Sequence, residues 1–235
     1  MLRQRSNITV LAAGCIFLFA LSAPASVIYI QPVAHAGNFI VGDTVSEFPF
    51  PNQAADDFDL VAPQGAPDFE ITDLHWVGAD LTPHSATDFI VRFFMDNGGG
   101  APFLAPFAQF AFTNVSRVDS GLDVPLQPAE TDVFRYDVDL AAPLFLHANT
   151  PYYISIMAIN EDTNWVWAWG GDANPGTQNH MSWERSVEGA PWNPAAGHDM
   201  SFKLTGPPVP EPASMALLGM GLAGFLIKRM RAVTH

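Results

Sequence analysis

An all-β fold, an antiparallel β-sandwich of jelly-roll type, is what this sequence predicts for its middle section, and three observations predict it. Apolar residues come in short runs, no stretch sustains a helical period, and clusters of Gly, Pro, Asn and Asp stand between the runs. The runs are Val27 to Ile30, Ala55 to Leu60, Ile71 to Leu81, Phe89 to Met95, Phe107 to Phe112, Val133 to Leu140, Tyr152 to Ile159, Trp165 to Trp169 and His198 to Leu204. Each has strand length, and two packed antiparallel sheets are the economical way to bury so many short strands.

The elements follow in order. Asp96-Asn97-Gly98-Gly99-Gly100 supplies the positive-φ residues of a turn after Met95. Tyr152 to Ile159 is apolar on both faces, which predicts a central strand. Asn160-Glu161-Asp162-Thr163-Asn164 is expected to join it to the tryptophan-rich run as a hairpin. Residues 26 to 208, 183 in all, contain no repeat or interdomain linker and suffice for one sizeable domain.

That stretch holds 23 Asp and Glu against 5 Lys and Arg, a balance of 5 − 23 = −18, with Lys203 as its only lysine. Such a surface repels phosphates, so nucleic acid is excluded as a partner. Charged residues are only 14% of the chain and aromatics 12%, the profile of a folded domain rather than an acidic disordered tail.

Both flanks are apolar with positive charge on the outer side. Arg3 and Arg5 precede Ile8 to Leu21, after which Ala23-Pro24-Ala25 offers a signal-peptidase site, so residues 1–25 are expected to be a signal peptide cleaved after Ala25. Cleavage at Ala34-His35-Ala36 would discard the strand-like Val27 to Ile30. The one cysteine, Cys15, falls inside the discarded segment, so the mature domain is expected to have neither disulfide nor thiolate chemistry. At the other flank, Ala213 to Ile227 is an uncharged run followed by Lys228, Arg229 and Arg231. As a helix its 15 residues span about 22 Å, short of the roughly 30 Å of a hydrocarbon core, which suits a temporary anchor. Basic residues stay cytoplasmic, so the domain between the two runs is placed outside the inner membrane.

Before the second run stands Val209-Pro210-Glu211-Pro212, whose prolines hold the backbone extended. This motif, the apolar run and the basic stop Lys228, Arg229 and Arg231 together resemble the PEP-CTERM protein-sorting tail. The resemblance implies an exosortase as processing partner and transient membrane anchoring. It also implies delivery to the cell surface or extracellular matrix of a Gram-negative bacterium that makes exopolysaccharide. More loosely, Ala55 to Phe58, Ile71 to Gly78, Phe89 to Phe94 and Asp199 to Gly206 are similar to a recurrent β-sandwich ectodomain of bacterial surface proteins with no defined activity.

Candidate sites inside the domain each have two readings. Trp165, Trp167 and Trp169 alternate along a strand, so their indoles share one face about 7 Å apart. Exposed, they form a stacking ladder for the sugar rings of an extracellular polysaccharide; buried, they are core. Trp183 and Trp192, in a Pro- and Gly-rich region, are expected to be accessible or to cap one end. Acidic groups at Asp56, Asp57 and Asp59, at Asp137 and Asp139, at Glu161 and Asp162, and at Asp172 with Asn174 allow a structural calcium or a solvated acidic surface. No loop has calcium-loop spacing, and no metal ligand set is assigned. His75, His147, His180 and His198 lack zinc-ligand spacing and read as ordinary strand or loop residues. No nucleophile elbow, metalloprotease helix or phosphate loop occurs, so no catalytic residue and no cofactor is assigned. The expected function is a non-enzymatic structural or adhesive protein of an exopolysaccharide matrix. Its rivals are a carbohydrate-binding module and a secreted glycan hydrolase, which would need only two well-spaced carboxylates.

Overall fold

The computed structural model describes residues 25–33, 53–62, 68–80, 85–126, 129–159, 165–167, 169–170, 181–186, 188–196 and 199–207. Fourteen strands and no helix lie among them. They are β1 (Ser26–Gln31), β2 (Gln53–Asp59), β3 (Phe69–Asp80), β4 (Phe89–Met95), β5 (Ala108–Phe112), β6 (Arg117–Leu126), β7 (Ala129–Leu146), β8 (Pro151–Ala158), β9 (Trp165–Trp167), β10 (Trp169–Gly170), β11 (Met181–Arg185), β12 (Asn193–Ala196), β13 (Asp199–Met200) and β14 (Phe202–Gly206).

All pairings are antiparallel. One sheet runs β1-β14-β3-β7-β6, with β9 also paired to β3; the other runs β12-β11-β2-β8-β4-β5; β10 and β13 form a short pair of their own. Because β7 covers one edge of β3 as far as Ala79, β9 must lie on the opposite edge, continuing the line of β14.

The inner faces of the two sheets meet in one aromatic core. On β3, Ile71 faces inward, and so do Leu74 and Trp76; an irregularity between Ile71 and Asp73 resets the two-residue alternation so that both sets point the same way. Phe89 of the second sheet wedges edge-on among three rings of the first: Trp76 at 5.1 Å, Tyr136 at 4.9 Å and Trp165 at 5.3 Å between centroids. Edge-to-face contact sets the positive ring edge against a neighbour's negative face, so this cluster locks the two sheets in register as well as burying area.

The nine predicted runs all contain strands, and β8 is central and buried along its length after Pro151, as its two apolar faces predict. The turn glycines Gly98 and Gly100 have φ of 87° and 76°. Four features were not foreseen. β6 carries Ser, Gly and Pro, tolerable because it is an edge strand, and β7 runs on through Pro143 to Leu146. β11 and β12 form a hairpin on the second sheet, in the Pro- and Gly-rich region around Trp183 and Trp192. The expected hairpin across 160–164 is corrected: β8 pairs β2 and β4, whereas β9 pairs β3 in the other sheet, so the chain crosses between layers there. Residues 160–164 themselves, the signal segment with Cys15, and the apolar run 213–227 lie outside the described residues. Among the described residues no helix is long and apolar enough to cross a membrane.

Trp165 has room only because Gly78 lies beneath it: a Cβ there would sit 2.4 Å from the indole. Gly78→Ala therefore overpacks the junction of β3 and β9. It is expected to cost about 2 kcal/mol and lower Tm by about 4–8 °C in a thermal melt followed by tryptophan fluorescence.

Candidate sorting site

The site of interest is the place where the chain leaves the domain. β14 is the last strand among the described residues and is inserted between β1 and β3, with Ser26 opposite Gly206 and Thr205 opposite Asp73. Three contacts fix its start. Asp56 Oδ2 on β2 accepts the Met200 N–H at 2.6 Å, the Trp167 indole N–H donates to the Ser201 carbonyl at 2.8 Å, and the Ser201 hydroxyl donates to the Gln31 carbonyl at 3.1 Å. One contact fixes its end: at Gly206 an added Cβ would lie 1.9 Å from the Glu70 carbonyl oxygen, so only glycine lets the strand close against β3.

On the outer face, side chains tie β14 to its neighbours. His75 on β3 has Nδ1 2.6 Å from Asp137 Oδ1 on β7 and Nε2 3.1 Å from Thr205 Oγ1 on β14, while Arg135 Nε donates to Asp137 Oδ2 at 2.9 Å. Partial burial pushes the Asp137 carboxyl up, but the hydrogen bonds from His75 and Arg135 outweigh it and hold it below the usual carboxylate range. His75 is thus a strand residue, and its ring joins β3 to β7 and β14, a bridge that the sequence did not indicate.

Asp56 is the costly member of the clasp. It is fully buried, and its Oδ1 finds no hydrogen-bond partner among the described residues. Burial pushes its carboxyl well above the ordinary value; the Met200 hydrogen bond pulls it back, and repulsion from Asp199 and Asp57 raises it further.

The tryptophans divide differently from the ladder reading. Trp165 and Trp167 are both 0% exposed, inside the core between the sheets, so neither offers a face to a sugar. The platform is corrected for these two, because the edge of β3 draws β9 into the interior layer; the Trp169 side chain lies outside what is described. Trp192, expected to be accessible, is buried instead. Its indole N–H donates to the Phe103 carbonyl at 3.0 Å, its ring stands edge-on to Phe94 at 5.4 Å, and the Arg185 guanidinium lies 4.3 Å from its centroid. Trp183 is half-buried beside the same outer-face cluster. Arg185 also donates to Gln53 Oε1 at 2.7 Å and to the Leu104 carbonyl at 2.8 Å; burial lowers its pKa to about 10, so it stays charged at neutral pH. The sequence pattern held no sign of this Arg185 pin, which joins two distant segments, at Gln53 and Leu104, to Trp192 seven residues on.

The acidic groups do not converge. Asp56 points at Met200, Asp137 is engaged by His75 and Arg135, and Asp139 lies opposite Asp73. Among the described residues no three His, Cys, Asp or Glu side chains come together as a metal-binding group. Glu161, Asp162, Asp172, Asn174, His180 and His198 lie outside the described residues, and exposed His147 has Nδ1 2.7 Å from Asp68. A shallow groove of about 190 Å³ on the outer face, between Ile30, His75, Val77, Arg135 and Lys203, is smaller than ordinary small-molecule sites.

Beyond Pro207 the chain passes into the expected sorting motif Val209, Pro210, Glu211 and Pro212 and the basic stop Lys228, Arg229 and Arg231, which lie outside the described residues. Residues 208–231 match the family described as the PEP-CTERM protein-sorting motif. The chain carries a PEP-CTERM tail. This tail implies exosortase as the processing partner, and with it export and membrane-associated sorting toward the cell surface. The PEP-CTERM match begins two residues after Gly206, so the sorting signal follows the last strand without a linker. No curated protein and no solved structure matches the chain.

Asp56 gives a pH test of the clasp. With its native pKa raised, the folded state binds the proton more tightly than the unfolded state, so stability falls as pH rises from about 4 through the native pKa. Asp56→Asn keeps an acceptor for Met200 and removes the titration. It is expected to melt a few degrees above wild type at about pH 7.5 and to lose that advantage near pH 4, in parallel thermal melts.

Proposed function

We propose that the chain is a non-enzymatic surface or matrix protein whose jelly-roll-like sandwich is a structural or adhesive element of an extracellular polysaccharide matrix. Signal peptidase and exosortase process its two flanks. The observation that carries this reading is the continuity of β14 with the PEP-CTERM tail: the folded domain is the cargo of the sorting signal.

Three features support a scaffold over a catalyst or a glycan-stacking module. Trp165 and Trp167 serve the core. The buried polar groups Asp56, Gln53 and Arg185 are spent on joining strands and loops. The described outer groove is small and flanked by His75 and Arg135, which are already engaged with Asp137. A domain whose polar interior is committed to holding strands has its use on the outside, as an acidic, hydrated body that repels its own copies and polyanions.

Replacing Pro210 and Glu211 together by alanine tests the sorting step. The double variant is expected to accumulate in the membrane fraction with its tail attached, about tenfold depleted from surface material by immunoblot. Processing at the wild-type level would remove the assignment.

A further inference from the structure

We propose that the end of the domain from which the tail departs is a lipid-docking face, which seats on a zwitterionic bilayer surface while the tail is attached. This rests on reading the PEP-CTERM tail as a membrane anchor.

The topology gathers many chain ends at one pole. β14 finishes there at Gly206 beside Ser26, where β1 starts, and β3 starts there at Phe69 opposite Leu146, the last residue of β7. Four residues then carry the chain to Pro151, which is opposite Asp59 at the end of β2, and Tyr152 is opposite Met95 at the end of β4. Ala25 and Pro207 therefore both leave the sheet on this side.

The same pole holds most of the exposed apolar surface. Nine large apolar residues are exposed among the described residues, and six of them, Val27, Val61, Met95, Phe103, Phe107 and Phe145, lie at or beside these strand ends, each between 42% and 66% exposed. Loose loops do not explain this exposure. The Phe103 and Phe107 amides donate to the Met95 and Phe93 carbonyls, both at 2.9 Å, and Asn149 ties its loop to Leu60 at 2.8 Å and to Ala62 at 3.1 Å. Single exposed apolar residues need no explanation, but a rim of them on a fixed frame marks an interaction surface.

Chain length decides what that surface meets. From Gly206 to Ala213, where the uncharged run begins, there are seven residues, about 25 Å when fully extended. A domain of this size is about 40 Å across, so with the run inserted, only the tail-exit pole can touch the bilayer. Phe, Met and Val side chains suit the boundary between headgroups and acyl chains. Asp59, Glu70 and Asp96 stand at the same pole and disfavour an anionic surface, which leaves zwitterionic headgroups as the partner. A short tether gives a millimolar effective concentration, so a weak contact is populated while the tail is intact and is lost once it is cut.

The test uses the full chain with Cys15→Ser, reconstituted in phosphatidylcholine vesicles that carry a shallow spin-labelled lipid. Single cysteines at Val61→Cys and Phe145→Cys report the pole, Val118→Cys the far part of the first sheet, and Ala223→Cys the tail, each with an environment-sensitive fluorophore. At least about twofold quenching is expected at Val61, Phe145 and Ala223 and none at Val118, with the pole signals lost after the tail is removed. Quenching at Ala223 alone would overturn the docking face and leave the anchor standing. Absence of quenching at all three sites would remove the anchor reading and the proposal together. Pole labels shielded only when exosortase is present would assign the face to the enzyme and overturn the lipid partner.

Discussion

The hydrogen bond from the Met200 amide to the buried Asp56 carboxylate fixes where the last strand begins, and the placement of everything after it depends on that bond. β14 is not an edge addition; it stands between β1 and β3, so the first sheet is incomplete until Gly206 has reached Glu70. The contacts at its start come from both sheets and from β1, and the contact at its end admits only glycine. Two peptide units later the sorting match begins. The strand that completes the first sheet is thus the one the sorting match follows in the chain.

Stability of this domain comes from burial. The single cysteine is at position 15, outside the domain, and the interior instead carries an interdigitated set of rings centred on Phe89, Trp76, Tyr136 and Trp165. Against that gain stand buried charges. Asp56 has one oxygen without a hydrogen-bond partner among the described residues, Asp80 is ion-paired with Arg117, and Arg185 is pinned between Gln53, Leu104 and Trp192. Such groups seldom add net stability against apolar replacements, but removing one partner is costly, so each selects one arrangement of its neighbours. All three link segments far apart in the chain, which is where a single arrangement is hardest to obtain from apolar packing alone.

The surface divides along the same axis. The outer face of the first sheet carries cross-strand polar ladders such as Thr205, His75, Asp137 and Arg135. The second sheet is extended past β2 by the β11–β12 hairpin and carries the Phe94, Tyr153 and Trp192 cluster. Six of the nine large apolar side chains exposed among the described residues gather instead around the strand ends near Gly206.

The all-β class, the nine apolar runs that contain strands, the central position of β8 and the glycine turn after Met95 were legible in the sequence, because they follow from residue periodicity and φ preference, which are local; β6, β11 and β12, with their Ser, Gly and Pro, were not. The sorting tail was legible for the same reason: motif, apolar run and basic stop are contiguous. What the sequence left open was decided by contacts between distant segments. Trp165 and Trp167 could face sugar or core on periodicity alone, and pairing with the edge of β3, over the space left by Gly78, turned them inward. Trp192 looked accessible in its Pro- and Gly-rich setting until Phe94, Phe103 and Arg185 closed around it. The link after β8 read as a hairpin because turn-forming residues Asn160 to Asn164 separate two apolar runs, yet β9 took its partner from the opposite sheet. The unusual pKa of Asp56 and the gathering of strand ends at one pole are tertiary for the same reason: burial and proximity are properties of the assembled layers, and no window of consecutive residues contains them.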